Sequence, residues 1–254
     1  MQSVNNFFPV VGHRFQLLDT ECPTIYTQTM RKIKIIEGEY YHIFNRGNNK
    51  QNIFSDNRDW IRFLFLVLYF QSPVSFENLG RPVSYFVKHR VFNINNQITE
   101  KLIANRYVEL VCFAFIPNHF HLIIRENKEN GISQYMQRIL NAYTKYFNTK
   151  YQKIGHLFQG PFKAVHIESN EQLLHLSAYI HRNPREIKDW KNSEHLYPFS
   201  SYQDYFQKNR WGKLLENGII MDQFSSGEDY KKFTDKSGTK KEINHENLLS
   251  VFID

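Results

Sequence analysis

Two histidines separated by one residue are the first feature of this sequence that could do chemistry. They lie in the segment FIPNHFHLIIR, residues 115–125. Side chains alternate faces along a strand, so His119 and His121 would share one face while Phe120 and Leu122 face a core. Two imidazoles placed in this way can bind one divalent metal ion. The spacing alone leaves open the alternative of a solvated or hydrogen-bonded surface pair.

A segment further along, residues 171–184, offers a second chemical group. At about 100° per residue its apolar side is formed by Leu173, Leu174, Ser177 and Ile180. Tyr179 falls away from that side, in a stripe with His175 and Asn183. Pro184 must end the helix directly after the amide. A tyrosine and an amide one turn apart, both facing outward, could reach the same ion or phosphate. The alternative is an ordinary surface tyrosine.

The elements that would position these groups follow from the hydrophobic pattern. Strands are expected over about 39–44, 107–114, 117–124 and 162–167, and helices over about 56–70, from 131 past 147, and 170–182. The first six elements, in chain order, form the split β-α-β arrangement of a ferredoxin-like domain. The sequence therefore predicts an α+β fold with an antiparallel sheet, followed by a C-terminal helical extension.

Breaks in the pattern predict the domain organisation. Residues 1–33 show no sustained period and are expected to be an N-terminal extension, residues 34–206 the main domain, and residues 207–254 a helical tail. Prolines, glycines and asparagines interrupt residues 71–105, which we interpret as an insertion with one short helix near 83–89. The stretch around 236–241 is polar and basic and is expected to be a mobile connection.

Composition narrows the class of protein. No apolar run is long enough to span a membrane, and no secretory signal pattern opens the chain, so we expect a cytoplasmic protein. Cys22 and Cys112 lie far apart, which excludes a cysteine-rich zinc module and favours reduced thiols. Lysine and arginine number 32 against 25 acids, and 16% of residues are aromatic. Basic groups for phosphates and rings for unpaired bases favour a nucleic-acid partner.

Five motifs in order resemble those of one bacterial enzyme family. They are YHIFNRG at 41–47, PNHFHL at 117–122, YFN at 146–148, GHLFQGPFK at 155–163 and YIHRNP at 179–184. With this spacing the chain is similar to the REP-associated tyrosine transposases. These are relatives of the single-tyrosine, insertion-sequence-200-like transposases, within the HUH (His-hydrophobic-His) single-strand endonucleases. The resemblance covers about residues 32–206.

The resemblance implies a mechanism and a set of site residues. His119, His121 and Asn183 would hold Mg²⁺ or Mn²⁺, and Tyr179 would be the nucleophile that forms a 5′-phosphotyrosine intermediate on single-stranded DNA beside a palindromic hairpin. A phenol with a pKa near ~10 is a poor nucleophile at neutral pH. It would need the cation, and His175 is the candidate for an accessory basic neighbour.

The same resemblance and the basic composition suggest the partners. Candidates for contacts with DNA phosphates are Arg46, Lys50, Arg125, Arg138, Lys145 and Lys163. Single-stranded and hairpin DNA are the expected partners of a monomer or homodimer that associates with the bacterial nucleoid when bound. Two alternatives remain open: a hairpin-binding protein that cuts nothing, and a metal-dependent hydrolase in which Tyr179 is incidental.

Overall fold

The computed structural model describes residues 34–75, 78–92 and 95–237. The expected N-terminal extension, with Cys22, lies outside these ranges. The last part of the expected C-terminal tail also lies outside them, including most of the basic stretch at 236–241.

One four-stranded sheet forms the centre of the fold. Its strands are β1 (Tyr40–Arg46), β2 (Val108–Ile116), β3 (His119–Glu126) and β4 (Lys163–His166). They lie in the order β2-β3-β1-β4, and every neighbouring pair is antiparallel. The first and second strands are thus separated by the third, which is the split β-α-β arrangement. The predicted fold class, α+β with a ferredoxin-like antiparallel sheet, is confirmed.

Eight helices accompany the sheet in the described residues. They are α1 (Asn57–Tyr69), α2 (Gly80–His89), α3 (Asn96–Ala104), α4 (Gly131–Tyr151), α5 (Asn170–Arg182), α6 (Gln203–Phe206), α7 (Gly218–Met221) and α8 (Gly227–Lys236). None of the helices in this part of the chain is long and apolar enough to cross a membrane. The insertion holds two helices, α2 and α3, where the sequence predicted one.

Side-chain caps set the starts of α1 and α5. Asp56 begins α1 with a capping box: it accepts from the backbone of Asp59, whose carboxylate bonds back to the cap residue. For α5 the cap is Ser169, whose hydroxyl accepts from the backbone N–H of Gln172. Ser169 has the extended backbone that a cap needs, and the helix begins at Asn170, the start that the sequence predicted.

The two faces of the sheet are covered by different helices. On one face, the ring of Phe63 in α1 lies 5.0 Å from Phe115 and 5.1 Å from Phe120. On the other face, Cys112 packs on α5, with its Sγ 3.2 Å from Nε2 of His181. Because β-strand side chains alternate, this second face is the one that carries His119 and His121.

The C-terminal segments pack on the outer side of α5. Tyr230 of α8 is fully buried, and its hydroxyl lies 2.6 Å from Nδ1 of His181. Ile220 of α7 is also fully buried, so the predicted C-terminal helical extension is confirmed for α7 and α8. Asn183, which ends α5, is only 5% exposed because its side chain faces β3, with Oδ1 3.4 Å from Nε2 of His119. The outward position that the helical wheel predicted for it was wrong for this reason.

Candidate active site

Strand β3 presents the histidine pair on one face, as its alternation predicted. Phe120, between them, is fully buried on the opposite face, while His121 is 4% exposed and His119 is partly exposed. Their ring centroids lie 5.0 Å apart in an edge-to-face arrangement. The two imidazoles therefore sit at the margin of the core, where a small ligand can reach them.

The tautomer of His119 follows from its neighbour Asn118. The amide nitrogen of Asn118 donates to the carbonyl oxygen of Lys50 over 3.3 Å, so its Oδ1 is the atom that faces His119. This oxygen lies 2.7 Å from Nδ1 of His119 and can only accept. Nδ1 therefore carries the proton, and Nε2 presents a lone pair.

Asn183 brings a second lone pair to the same point. Its Nδ2 donates to the carbonyl oxygen of Tyr179 over 3.2 Å, which turns Oδ1 toward the sheet. That oxygen lies 3.4 Å from Nε2 of His119. Two acceptors that face each other at this distance repel unless a positive charge, a proton or a metal ion, lies with them.

His121 is oriented by a third histidine, His42 of β1. Nε2 of His42 lies 2.9 Å from Nδ1 of His121, and the rings are stacked with centroids 5.1 Å apart. His42 is completely buried, and burial lowers its pKa to about 3, so it is neutral at physiological pH. Since Nδ1 of His121 is bonded to His42, Nε2 is the ring atom that could bind a ligand.

Helix α5 places Tyr179 against this cluster within the same chain. The tyrosine ring lies edge-on to His121, with centroids 5.9 Å apart. Burial raises the pKa of the phenol to about 12, although a hydrogen bond with Asn183 acts in the other direction. The phenol is therefore protonated at neutral pH, and its ionisation requires a nearby positive charge.

The donor set fits a divalent cation. His119 and His121 each use Nδ1 for an orienting bond, which is the usual arrangement of metal-binding histidines. Two ligand atoms about 2.1 Å from one ion lie about 3.0–3.4 Å apart, and Nε2 of His119 and Oδ1 of Asn183 match this. The described residues hold no group of three or more His, Cys, Asp or Glu side chains arranged for a metal, so a cation held by this histidine pair would take the amide of Asn183 as its third ligand.

A comparison with protein families now bears on this geometry. Residues 83–183 match the family described as "Transposase IS200 like". Over these residues the chain matches the IS200-like transposases. The matched stretch includes the histidine strand and ends at Asn183, so the resemblance recognised in the sequence is confirmed. The YHIFNRG motif, which contains His42, lies before the matched residues.

The chain was also compared with solved structures and with curated protein sequences. A solved structure described as "Structure of the REP associates tyrosine transposase bound to a REP hairpin" aligns with 78% of this chain and 94% of that chain. The identity is 16% and the TM-score is 0.45. No curated protein sequence matches the chain.

Two of the cations expected to contact DNA lie on the face with the histidines. Arg46 pairs in register with His119 across β1 and β3, and directly paired residues share a face. Lys163 pairs with Phe44, which in turn pairs with His121. Lys163 is exposed, with its Nζ 6.0 Å from the ring centre of Phe44. Both cations therefore lie on the face of the sheet that carries the histidine pair.

Lys50 and Lys145 are both exposed but lie on different sides of the sheet. Lys50 belongs to the loop after β1, and its carbonyl oxygen holds Asn118 beside His119. Lys145 lies on α4, on the layer opposite the histidines. The loop lysine is therefore close to the candidate site, and the helix lysine is not.

The other two arginines are engaged in contacts within the fold. Arg125 forms an ion pair of 3.4 Å with Glu109. Arg138 donates to the hydroxyl of Tyr107 over 2.7 Å and to the carbonyl oxygen of Ser72. These contacts hold the strand and the start of the insertion in place, so a role in binding DNA stays a prediction for both.

His175 and His42 show where local sequence patterns were insufficient to place a histidine. His175 packs against Phe233 of α8, with ring centroids 5.4 Å apart. The residue expected to be an accessory base therefore lies against the C-terminal segments, and its role stays a prediction. His42 was not singled out in the sequence. The predicted first strand included His42. Its contact with His121 could not be predicted, because it joins residues 79 positions apart and depends on the register of the sheet.

Proposed function

We propose that this protein is a metal-dependent DNA transposase or single-strand endonuclease that cuts and rejoins DNA beside hairpins, with Tyr179 as the nucleophile. The observation that carries the proposal is that α5 supplies both a tyrosine and an amide to the histidine pair. Tyr179 lies against His121, and Asn183 reaches Nε2 of His119 over 3.4 Å. A nucleophile next to a three-donor cation site is the arrangement that phosphoryl transfer requires.

The residues that would hold the cation are His119, His121 and Asn183. When bound, Mg²⁺ or Mn²⁺ would polarise the scissile phosphate and stabilise the charge on its oxygens. All three donors are neutral in this proposal, so the affinity for the ion alone is expected to be modest. A phosphate of the substrate would strengthen binding by adding the negative charge that the protein donors lack.

The chemical step is an exchange of one phosphoester for another. Oη of Tyr179 attacks the phosphorus, the bond from phosphorus to the 3′ oxygen breaks, and the phenol proton ends on the released 3′-hydroxyl. The protein is left joined to the 5′ phosphate. Since the new ester replaces the old one, attack by another 3′-hydroxyl can reverse the step without a nucleotide triphosphate.

The surroundings of Tyr179 support this role and also limit it. Burial keeps the phenol protonated, so attack would occur only when DNA and cation are in place. Asn183 acts twice, through its hydrogen bond to the tyrosine side chain and through its oxygen toward His119. This dual contact couples the position of the nucleophile to the position of the ion.

Binding of the DNA strand would rely on cations next to the histidines. Arg46, Lys50 and Lys163 lie on or beside that face and could contact phosphates of a single strand. Palindromic hairpins with a short single-stranded segment are the substrates that the family resemblance implies. The unpaired segment is the part that would enter the site, since its phosphates can approach the buried tyrosine.

The test uses a labelled single-stranded hairpin oligonucleotide with Mn²⁺ and a denaturing gel. A covalent protein–DNA band is expected with the wild type and is lost in Tyr179→Phe. Tyr146→Phe, which changes a tyrosine on the opposite layer, is a matched control that keeps the band. Binding of the hairpin by the wild type without any band, across a range of divalent metals, would instead identify a hairpin-binding protein that does not cut.

A further inference from the structure

A second basic surface lies outside the candidate active site, in the insertion between α1 and β2. It is an open groove formed by α1, α2 and the turn before α2. Its side chains are basic, hydroxyl-bearing or amide-bearing: Arg58, Asn78, Arg81, Ser84, Tyr85, Lys88 and His89. No acidic residue lines it among the residues that the structure describes.

The packing of α2 fixes the direction of this surface. Val83 is fully buried, and the ring of Phe86 lies edge-on to Phe65 of α1 at 5.6 Å. With these residues facing the core, Arg81 and Lys88 must face outward, and both are exposed. They lie seven residues apart, about 10 Å along the helix axis. The positive charges are therefore held at a set spacing on a rigid element.

Hydrogen bonds tie the two walls of the groove together. Arg58 on α1 donates to the hydroxyl of Ser84 on α2 over 3.0 Å. At the far end of α2, Arg90 donates to the side chain of Asn57 over 3.4 Å. Asp56, which is next to this wall, does not line the groove, and its carboxylate pairs at 2.6 Å with Lys150, a lysine that also pairs with Asp59. The groove thus keeps a net positive charge and a set shape.

The position of the groove separates it from the cleavage chemistry. Its first wall, α1, packs on the sheet face that carries Phe120, whereas the histidines and Tyr179 lie on the opposite face. The stretch of a DNA strand that is held at Tyr179 cannot also lie in the groove. Any DNA bound there must be a different segment of the substrate or a different molecule.

We propose that the groove between α1 and α2 binds the phosphate backbone of duplex DNA, namely the paired stem beside the single strand that is cut. This rests on the proposed function. Rigid positive charges, with no acid among the described side chains that line the groove, match a phosphate backbone. A single strand is less suited, because the one exposed aromatic of the groove, Tyr85, already packs on His89 with ring centroids 4.4 Å apart. Unpaired bases would need such a ring as a stacking platform.

The experiment compares two double variants that lose the same charge. Arg81→Gln with Lys88→Gln empties the groove of its two exposed cations. Lys101→Gln with Lys208→Gln removes two exposed lysines elsewhere and is the matched control. Binding of a short-stem and a long-stem hairpin is measured by fluorescence anisotropy over a series of salt concentrations. Thermal melting of each variant checks that it is folded.

We expect the groove variant to bind the long-stem hairpin roughly tenfold more weakly, with a salt slope lower by about 2, since each phosphate contact contributes about 0.9. The short-stem hairpin and the control variant should change little. Equal losses in both variants, or equal losses on both hairpins, would overturn the proposal.

A separate readout distinguishes this proposal from the proposed chemistry. Formation of the covalent band on a short single-stranded oligonucleotide should be the same in the groove variant and in the wild type. If no band forms with any protein but the groove variant still loses affinity for the long stem, the duplex site stands and the catalytic proposal fails. If bands form normally and affinity for the stem does not change, the groove proposal fails alone.

Discussion

Helix α5 contacts two clusters that contain buried histidines, and their hydrogen bonds are organised in opposite ways. Toward β3, Nε2 of His119 faces Oδ1 of Asn183, an acceptor that faces an acceptor. Toward the C-terminal segments, His181 lies 2.6 Å from the hydroxyl of Tyr230 at Nδ1 and 2.8 Å from the hydroxyl of Ser201 at Nε2. In the proposed function the first cluster binds a cation, whereas the second forms its hydrogen bonds within the fold.

The comparison shows that the partners of a histidine decide its role. His181 lies inside the YIHRNP motif, between the proposed nucleophile and the proposed metal ligand, yet its bonds are those of a core residue. Hydroxyl groups can donate or accept, so they satisfy both ring nitrogens without an ion. His42 lies far away in the sequence and joins the proposed cation site through its contact with His121. Four predictions test this division between a cluster for binding and a cluster for stability.

The largest effect is expected from the tyrosines of the two clusters. Tyr179→Phe should lower formation of the covalent band by more than about 1000-fold, because it removes the nucleophile, while the free energy of unfolding changes little. Tyr230→Phe should show the reverse, with the band retained and the protein destabilised by roughly 1–2 kcal/mol through the lost bond to His181. Gel assays and urea unfolding measure the two quantities. Loss of the band in Tyr230→Phe without unfolding would break the division.

The next effect concerns stability alone. His181→Ala should cost roughly 2–4 kcal/mol of unfolding free energy, since it opens a cavity and takes a partner from Ser201 and Tyr230. The affinity of the folded variant for Mn²⁺, measured by calorimetry, should equal that of the wild type. A weaker affinity at unchanged fold would place His181 in the cation site.

A smaller effect is expected from the residue that orients His121. His42→Phe keeps an aromatic ring but removes the bond to His121, and should weaken Mn²⁺ binding by about 10–100-fold. His42→Gln, which can still hydrogen-bond, should lose less. Calorimetric titration of Mn²⁺ measures this without reference to cleavage. Unchanged affinity in His42→Phe would show that His121 needs no orienting partner.

The smallest effect is a dependence of stability on pH. Burial lowers the pKa of His181 to about 3, against about 6.5 in the unfolded chain. Between these two pKa values the unfolded chain binds a proton at His181 and the folded protein does not. The contribution of neutral His181 to the free energy of unfolding is therefore fully present above pH 6.5 and is lost as the pH falls toward 3. From pH 7.5 to 5.5 the loss should be about 1 kcal/mol. Urea unfolding at both pH values should show that this pH-dependent loss of stability is absent in His181→Gln.

The sequence predicted much of the site because alternation along a strand and spacing along a helix are local properties. The faces of His119 and His121, and the one-turn relation between Tyr179 and Asn183, needed no tertiary contact. The second helix of the insertion also had a local signal that was overlooked. Asn95 caps α3, and Ile98 and Leu102 follow at helical spacing.

Other features depended on distant parts of the chain. The burial of Asn183 follows from the packing of the end of α5 on β3, and the placement of His175 against Phe233 follows from segments after residue 200 that cover the outer side of α5. A helical wheel assigns one buried side to a helix, whereas α5 has two. The basic groove likewise arises only when α2 packs on α1 and turns Arg81 and Lys88 outward together with Arg58.

By itself, the sequence determined the order of strands and helices, the chemical groups available and the family that they resemble, because each depends on neighbouring residues and their spacing. Only the tertiary structure decided which groups meet. It joined His42 to His121 across the sheet, turned the oxygen of Asn183 toward His119, and separated His181 from both by surrounding it with hydroxyl groups. The physical reason is that the direction of a hydrogen bond depends on the partner, and these partners come together only in the folded chain.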